Sequence, residues 1–600
     1  SVAHSTQVAG KGSLTFKPVK GLSISGIVSP FINYQKKKAF KNSCGYTLAD
    51  DPETFGGYFD SGSTWTTNSL TETRKDDYHV TSQVIANYMG TFGSHDLTVM
   101  AGFENYYMKD EELTAARDKY ELTGYPYLNI GSEDFQTNSG KGSEYTSNSV
   151  FGRVIYSYAD RYLFQANIRH DGSSRFAKGY RWGTFPSFSA GWVMSEEKFM
   201  KSLNWDWLSF LKLRGSWGIL GNERIGDDYF PYIALMSFGN SLFYMADGSV
   251  VSDKTARPAI LAVEDITWET TTSTDFGLDA NFFNNRLQFH FDYYWKQTKD
   301  MLLKIEIPYF MGYNNPNTNA GKMSTHGYDI ELAWNDRIGD LQYGVNVNFS
   351  DFLSKIDYMN DGEKISNGKI KRVGVLFNEY YGYVCDGIYQ TQEEVNNSAR
   401  TSTTVTVGDL KYRDISGPDG VPDGIISPEY DRVPLGNSLP RFQYGGTFNA
   451  SYKGIDFSIA FQGIGKQNSY LSTAMVQPLR DNYGSVPSII EGKYWSPFNT
   501  AEENLSARYP RLSNVSKSNN YATSSFWMFN GSYFRLKNLT LGYTLPETWT
   551  QKAGIDRVRF YISGSDLFCL SNFPDGWDPE MGASSYPITT SLVMGLQVNF

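Results

Sequence analysis

Apolar and polar residues alternate with a period of two over long stretches of this chain. Leu287, Phe289, Phe291, Tyr293 and Trp295 are interleaved with Gln288, His290, Asp292, Tyr294 and Lys296. Leu341, Tyr343, Val345, Val347 and Phe349 are interleaved with Gln342, Gly344, Asn346, Asn348 and Ser350. A third stretch sets Phe442, Tyr444, Phe448, Ala450 and Tyr452 against Gln443, Gly445, Thr447, Asn449 and Ser451. Successive side chains of a strand point to opposite faces, so each stretch predicts a strand with one apolar and one polar face. A soluble antiparallel sheet shares that pattern. Length and the chemistry of the second face separate the two cases. Several stretches run past about ten residues, the length a tilted strand needs to cross a bilayer between lipid and a wet lumen.

The connections agree with a membrane reading. Short turns at Ala159-Asp160, Asn284-Asn285 and Lys453-Gly454 alternate with long polar stretches at 38–74, 109–143, 222–262, 359–435 and 466–524. Short turns at one end and long loops at the other are the outer-membrane arrangement. Counting the alternating segments predicts an all-β, transmembrane antiparallel barrel portion of roughly 17 strands. Helical periodicity is weak, with short candidates at Glu111 to Tyr120 and Glu196 to Leu203 inside the loops. No run of about 18 apolar residues exists, so no transmembrane helix is expected. At the C-terminus Leu592, Met594, Leu596, Val598 and Phe600 share a face, an amphipathic strand ending in an aromatic residue.

Composition sharpens this. Aromatic residues are 16% of the chain, with 42 Tyr, 39 Phe and 13 Trp, more than a soluble enzyme's core calls for. Tyr and Trp join an apolar body to a polar tip, which suits a membrane–water boundary or a sugar-stacking surface. The 54 basic and 64 acidic residues give a net charge of −10, which argues against a nucleic-acid partner. Cys44, Cys385 and Cys569 are too few and too far apart for a disulfide framework or a metal knuckle.

Catalytic constellations are absent from the pattern. The six histidines, His4, His79, His95, His170, His290 and His326, show no metal-ligand spacing. Gly463-Ile-Gly-Lys466 lacks the spacing and hydroxyl of a phosphate loop, and reads as a glycine bend leaving a strand. No nucleophile elbow precedes a helix, so a serine hydrolase has no support. The segment Asp414-Ile-Ser-Gly-Pro-Asp419-Gly-Val-Pro-Asp423 spaces carboxylates as a calcium loop does. Its prolines break the EF-hand interval and no bidentate Glu follows, so Ca2+ on Asp414, Asp419 and Asp423 stands beside a plain turn-rich loop. Tyr229, Tyr232, Tyr380, Tyr381 and Tyr383 fall in long loops, where rings either stack on a substrate or pack against neighbouring loops and a lid protein.

Several blocks resemble the SusC/RagA family of TonB-dependent transporters. They are Phe151-Gly-Arg-Val-Ile-Tyr-Ser-Tyr-Ala-Asp-Arg161, Arg169-His-Asp-Gly-Ser-Ser-Arg-Phe176 and Phe185-Pro-Ser-Phe-Ser-Ala-Gly-Trp192. Leu213-Arg-Gly-Ser-Trp-Gly218, Thr267-Trp-Glu-Thr270, Ser532-Tyr-Phe-Arg-Leu-Lys-Asn-Leu-Thr-Leu-Gly-Tyr543 and Gly576-Trp-Asp-Pro-Glu580 extend the likeness to the C-terminus. The resemblance implies an outer-membrane protein of a Gram-negative, Bacteroidota-type cell, without enzymatic activity. It implies import of a bulky oligosaccharide, or of an oligopeptide as the main variant, with TonB supplying energy. A SusD-like surface lipoprotein would cap the barrel, and such SusCD pairs would dimerise. Plugged transporters have about 22 strands. The chain, residues 1–600, is therefore expected to be the C-terminal portion, without plug, N-terminal extension or first strands. Rival readings are a barrel enzyme or adhesin, which requires a convergent rim constellation, and a soluble carbohydrate-binding protein, which would extract without detergent.

Overall fold

The pairing of strands follows the alternation. A computed structural model describes residues 1–600 apart from positions 49, 59–65, 227, 361, 473–475, 480–485 and 582–584. Among the described residues, eighteen strand segments share one large antiparallel sheet. They are β1 Val2–Ala9, β2 Gly12–Val19, β3 Leu22–Lys41, β4 Ser69–Phe92, β5 His95–Asp118 and β6 Gln136–Tyr158. Next come β7 Tyr162–Ser173, β8 Trp182–Val193, β9 Leu208–Asn222, β10 Glu269–Phe282, β11 Leu287–Lys299 and β12 Gly321–Ile338. The last are β13 Leu341–Met359, β14 Arg441–Tyr452, β15 Ile455–Lys466, β16 Tyr533–Thr544, β17 Arg557–Ser571 and β18 Ser591–Asn599. β1 and β2 lie end to end along β3, one against its far half and one against its near half. Eighteen segments with two sharing a line leave seventeen lines, the number the alternation predicts.

The chain divides into two compact units. The first comprises Ser1–Ala190, Gly218–Thr271 and Asp300–Asn319. Its register sets Val84, Phe103, Val150 and His170 side by side on one face. One residue along, Gln83, Glu104, Ser149 and Asp171 form a row on the other face. Val84, Phe103 and Val150 are more than a third exposed, as lipid-facing residues are in a chain described without its bilayer. The polar row is tied together by Arg169, which donates to Glu104 (2.9 Å), Ser149 (2.8 Å) and Asp171 (2.7 Å). That row is the lumen wall. Aromatic belts bound the lipid face. Tyr158 and Tyr162 stand at the short-turn end, and Trp182 stacks on His170 at 4.7 Å toward the other. From Tyr162 to His170 is roughly 26 Å of strand at ~3.3 Å per residue, close to an apolar band of ~25 Å.

The second unit comprises Gly191–Trp217, Thr272–Lys299 and Ala320–Phe600. Ile455, Tyr543, Phe560 and Leu596 form an outward row across β15 to β18. Inward, Arg559 donates to Asp456 from beside Gly542, where a Cβ would sit 2.6 Å from both side chains. Gly542 thus leaves the room that the ion pair fills. Leu592, Met594 and Leu596 of β18 are exposed on the outward face, and Phe600 beyond them is 88% exposed.

The loop reading of 109–143 is corrected. β5 runs to Asp118 and β6 starts at Gln136, so the connection is 119–135. The helix candidate from Glu111 to Tyr120 likewise lies on β5 for most of its length. These strands continue past the lipid belt, where both faces meet water and nothing enforces apolar alternation. The candidate at Glu196 to Leu203 does contain a helix, Lys198–Ser202.

Within the second unit, the segments 360–440 and 467–532 fold together into a loop module. Asp409, fully buried, accepts from Arg511 (2.7 Å), Ser516 (2.8 Å), Asn520 (2.9 Å) and the Thr406 N–H (2.9 Å). Asn520 in turn accepts from the Leu410 N–H at 2.9 Å. Leu471, Val476 and Trp527 form an apolar core there together with Phe573, which comes from the connection after β17.

Candidate functional site

On the lumen wall of the first unit, rings follow one another across β3 to β6. Phe31 stacks on His79 at 4.4 Å, His79 lies 5.9 Å from Tyr106, and Tyr106 lies 6.0 Å from Tyr145. Tyr145 is 6.1 Å from Tyr229, which enters from the loop after β9. Strand pairing places the first four: Phe31 faces His79, His79 faces Met108, Met108 faces Tyr145, and Tyr106 stands two residues from Met108 on the same face of β5.

Beside this run is a cavity of about 350 Å³, lined by Lys75, Asp77, Asp110, Lys141, Tyr229 and Phe230 among others. Asp110 accepts from the Ser143 hydroxyl, and Asp77 lies 3.6 Å from the His79 ring. Lys141 Nζ is 3.8 Å from Glu112. Asp228, also in the lining, accepts from the Phe230 N–H at 3.2 Å. Carboxylates and ammonium groups beside an aromatic wall can bond the hydroxyls of a polar oligomer while a ring face stacks on it.

Tyr229 is held by Arg175. The guanidinium carbon lies 4.3 Å from the Tyr229 ring centroid and 5.3 Å from that of Tyr145. It also donates to the carbonyls of Asp228 (2.9 Å) and Gly226 (3.3 Å). Next to it, Phe176 is buried with Ile225, Ile266 and Trp268 in a small core.

Of the tyrosines expected to touch substrate, Tyr229 alone lines this cavity. Tyr232 is half-buried and stands outside the lining. Tyr380, Tyr381 and Tyr383 belong to the loop module of the second unit. Tyr380 lies 5.8 Å from the Tyr470 ring, while Tyr381 and Tyr383 are more than nine-tenths buried. Tyr383 stacks on Tyr412 at 5.0 Å. Burial pushes the hydroxyls of Tyr380 and Tyr383 above their ordinary range. It also drives the nearby Cys385 thiol up to about 11. Burial, then the carboxylate of Glu394, takes Tyr389 to about 12.

The acidic loop caps its own turns. Asp414 accepts from the Gly424 N–H at 2.7 Å, Asp423 accepts from the Ile425 N–H at 3.0 Å, and Asp419 is exposed. Among the described residues, no three His, Cys, Asp or Glu side chains are grouped to hold a metal ion.

Sequence reasoning missed Lys75, Asp77, Asp110 and Lys141, which lie where the alternation fades. Arg175 lies in the segment Arg169–Phe176, where no local signal marks it as a support for a residue 54 positions away.

Comparison with known proteins places these features. Residues 29–563 match the family model described as TonB dependent receptor-like, beta-barrel. TonB-dependent receptor P3 of Formosa agariphila is 30% identical over an alignment of 557 positions that covers 86% of this chain and 52% of that protein. TonB-dependent receptor SusC of Bacteroides thetaiotaomicron is 29% identical over an alignment of 541 positions that covers 87% of this chain and 50% of that one. The chain thus spans about half the length of the curated relatives it matches. A structure described as the RagAB peptide transporter superposes with a TM-score of 0.81 at 22% identity. That match covers 100% of this chain and 62% of the other, and shows a shared fold.

Proposed function

Because the chain belongs to the TonB-dependent receptor β-barrel family, we propose that it serves as barrel wall in an importer of a bulky polar nutrient, an oligosaccharide. TonB energises the importer, and a SusD-like surface lipoprotein acts as its lid. One observation carries the choice of cargo. The ring sequence Phe31, His79, Tyr106, Tyr145 and Tyr229 lies on the polar lumen face beside a cavity lined with carboxylates. Such a face offers stacking for sugar rings and acceptors for their hydroxyls. A second reading, an oligopeptide, is favoured by the ammonium groups of Lys75 and Lys141 among those carboxylates, since a peptide carries both signs.

The test is calorimetric titration of the detergent-solubilised full transporter with matched panels of oligosaccharides and oligopeptides. Binding of the first panel alone supports the sugar reading, and binding of the second alone replaces it. Affinity purification from outer membranes should bring down a surface lipoprotein, and its absence at native expression counts against the lidded assembly.

A further inference from the structure

Arg175 does more for the first unit than satisfy its own charge. It is 9% exposed, and its side chain crosses from the wall to the loop that carries Tyr229. The loop is pinned on one side by Ile225 in the small core, and on the other by the Val263 N–H bonding to Pro231 at 3.1 Å. Between those anchors, Arg175 holds the carbonyls of Gly226 and Asp228 and the face of Tyr229. Asn317 adds one long bond of 3.5 Å to the Asp228 carboxylate. The loop in turn gives the cavity Asp228, Tyr229, Phe230 and Leu235. On the wall side, Tyr145 faces the guanidinium and donates its hydroxyl to Glu223 of the same loop.

We propose that Arg175 is a positioning residue that seats the Tyr229–Phe230 wall over the cavity, so that the binding surface exists only while the guanidinium lies against the rings of Tyr229 and Tyr145. A planar guanidinium can lie over one ring face and still donate in its own plane to two carbonyls. A lysine ammonium, a compact point charge, cannot do both. The geometry therefore assigns the position to Arg specifically. That this surface is a ligand site rests on the reading above, but the seating of the loop does not.

The experiment uses the full transporter in detergent, digested with chymotrypsin. The enzyme can cut at Tyr229–Phe230, while Pro231 blocks cleavage after Phe230. Arg175→Ala and Arg175→Lys should both be cut there roughly tenfold faster than the unaltered protein, as expected for losing stacked cation–ring contacts. Heat-modifiable gel mobility should remain, showing an intact barrel. Cleavage of a folded Arg175→Ala variant at the unaltered rate overturns the proposal, and so does full rescue by Arg175→Lys. If either variant fails to fold, amide exchange on the unaltered protein decides. Residues 228–230 should exchange more slowly than the exposed hairpin tip at 245–249, and equal rates overturn the assignment. Neither readout involves a ligand, so failure of the binding panels and failure of this seating are separate results.

Discussion

Cys385 and Cys44 have the same side chain in opposite surroundings. Cys44 is exposed, whereas Cys385 is packed in the loop module and burial drives its thiol to about 11. Thiolate is the reactive form, so at pH 8 iodoacetamide should label Cys385 on the order of a hundredfold more slowly than Cys44. Mass-spectrometric peptide counting on the folded protein checks this, and comparable rates would show that the module is open. At Tyr229 the expected effect concerns cargo. Tyr229→Ala removes the ring that faces the cavity and, on the oligosaccharide reading proposed above, should weaken sugar capture roughly three- to tenfold. Tyr383→Ala should instead lower stability and leave affinity unchanged, because that ring is spent on Tyr412. Sequence alone could not separate those two tyrosines. Both sit in aromatic loop segments, and only packing distinguishes a ring facing a cavity from a ring filling a core.

At the scale of elements, the loop module is tied together around the buried charge of Asp409. Asp409 is fully enclosed and its Arg511 partner is partly exposed, so Asp409→Ala should cost toward the lower end of ~3–5 kcal/mol. Proteolysis within 360–440 under mild heating would register it while the strands stay paired. The module should also weaken at high pH. A cysteine in an unfolded chain ionises near ~8.5, but folded Cys385 holds its proton to about 11. Stability is therefore complete below about pH 8 and falls as pH rises through 9 toward 11. Removing calcium with a chelator should leave the Asp414–Asp423 loop in place, because backbone N–H groups already occupy two of its carboxylates. The strands themselves were legible wherever lipid and lumen impose opposite chemistry on alternate residues, as in Leu341 to Ser350. They were not legible from Lys109 to Asp118, where Asp110, Glu111 and Glu112 stand in water on both faces.

At the scale of the whole chain, its apolar rows require a detergent or bilayer environment. The full transporter should partition into the detergent phase and migrate as a heat-modifiable species. Recovery in a wash without detergent would contradict the lipid-facing assignment of Val84, Phe103 and Val150. What the sequence could not supply was depth. β4 and β5, at 24 residues each, are far longer than a crossing needs. At ~3.3 Å per residue each spans roughly 80 Å, about three times the apolar band.

That excess makes the outer part of these strands a collar whose height evolves in quantised steps. Adding one residue to β4 would turn every later side chain inside out, sending Asp77 and His79 outward. Adding two, matched by two on β5, would raise the rim by one pleat and leave the lipid belt untouched. Lineages carrying this wall should therefore differ in collar length by even numbers, paired across each hairpin. An odd difference should come with a bulge that restores the phase.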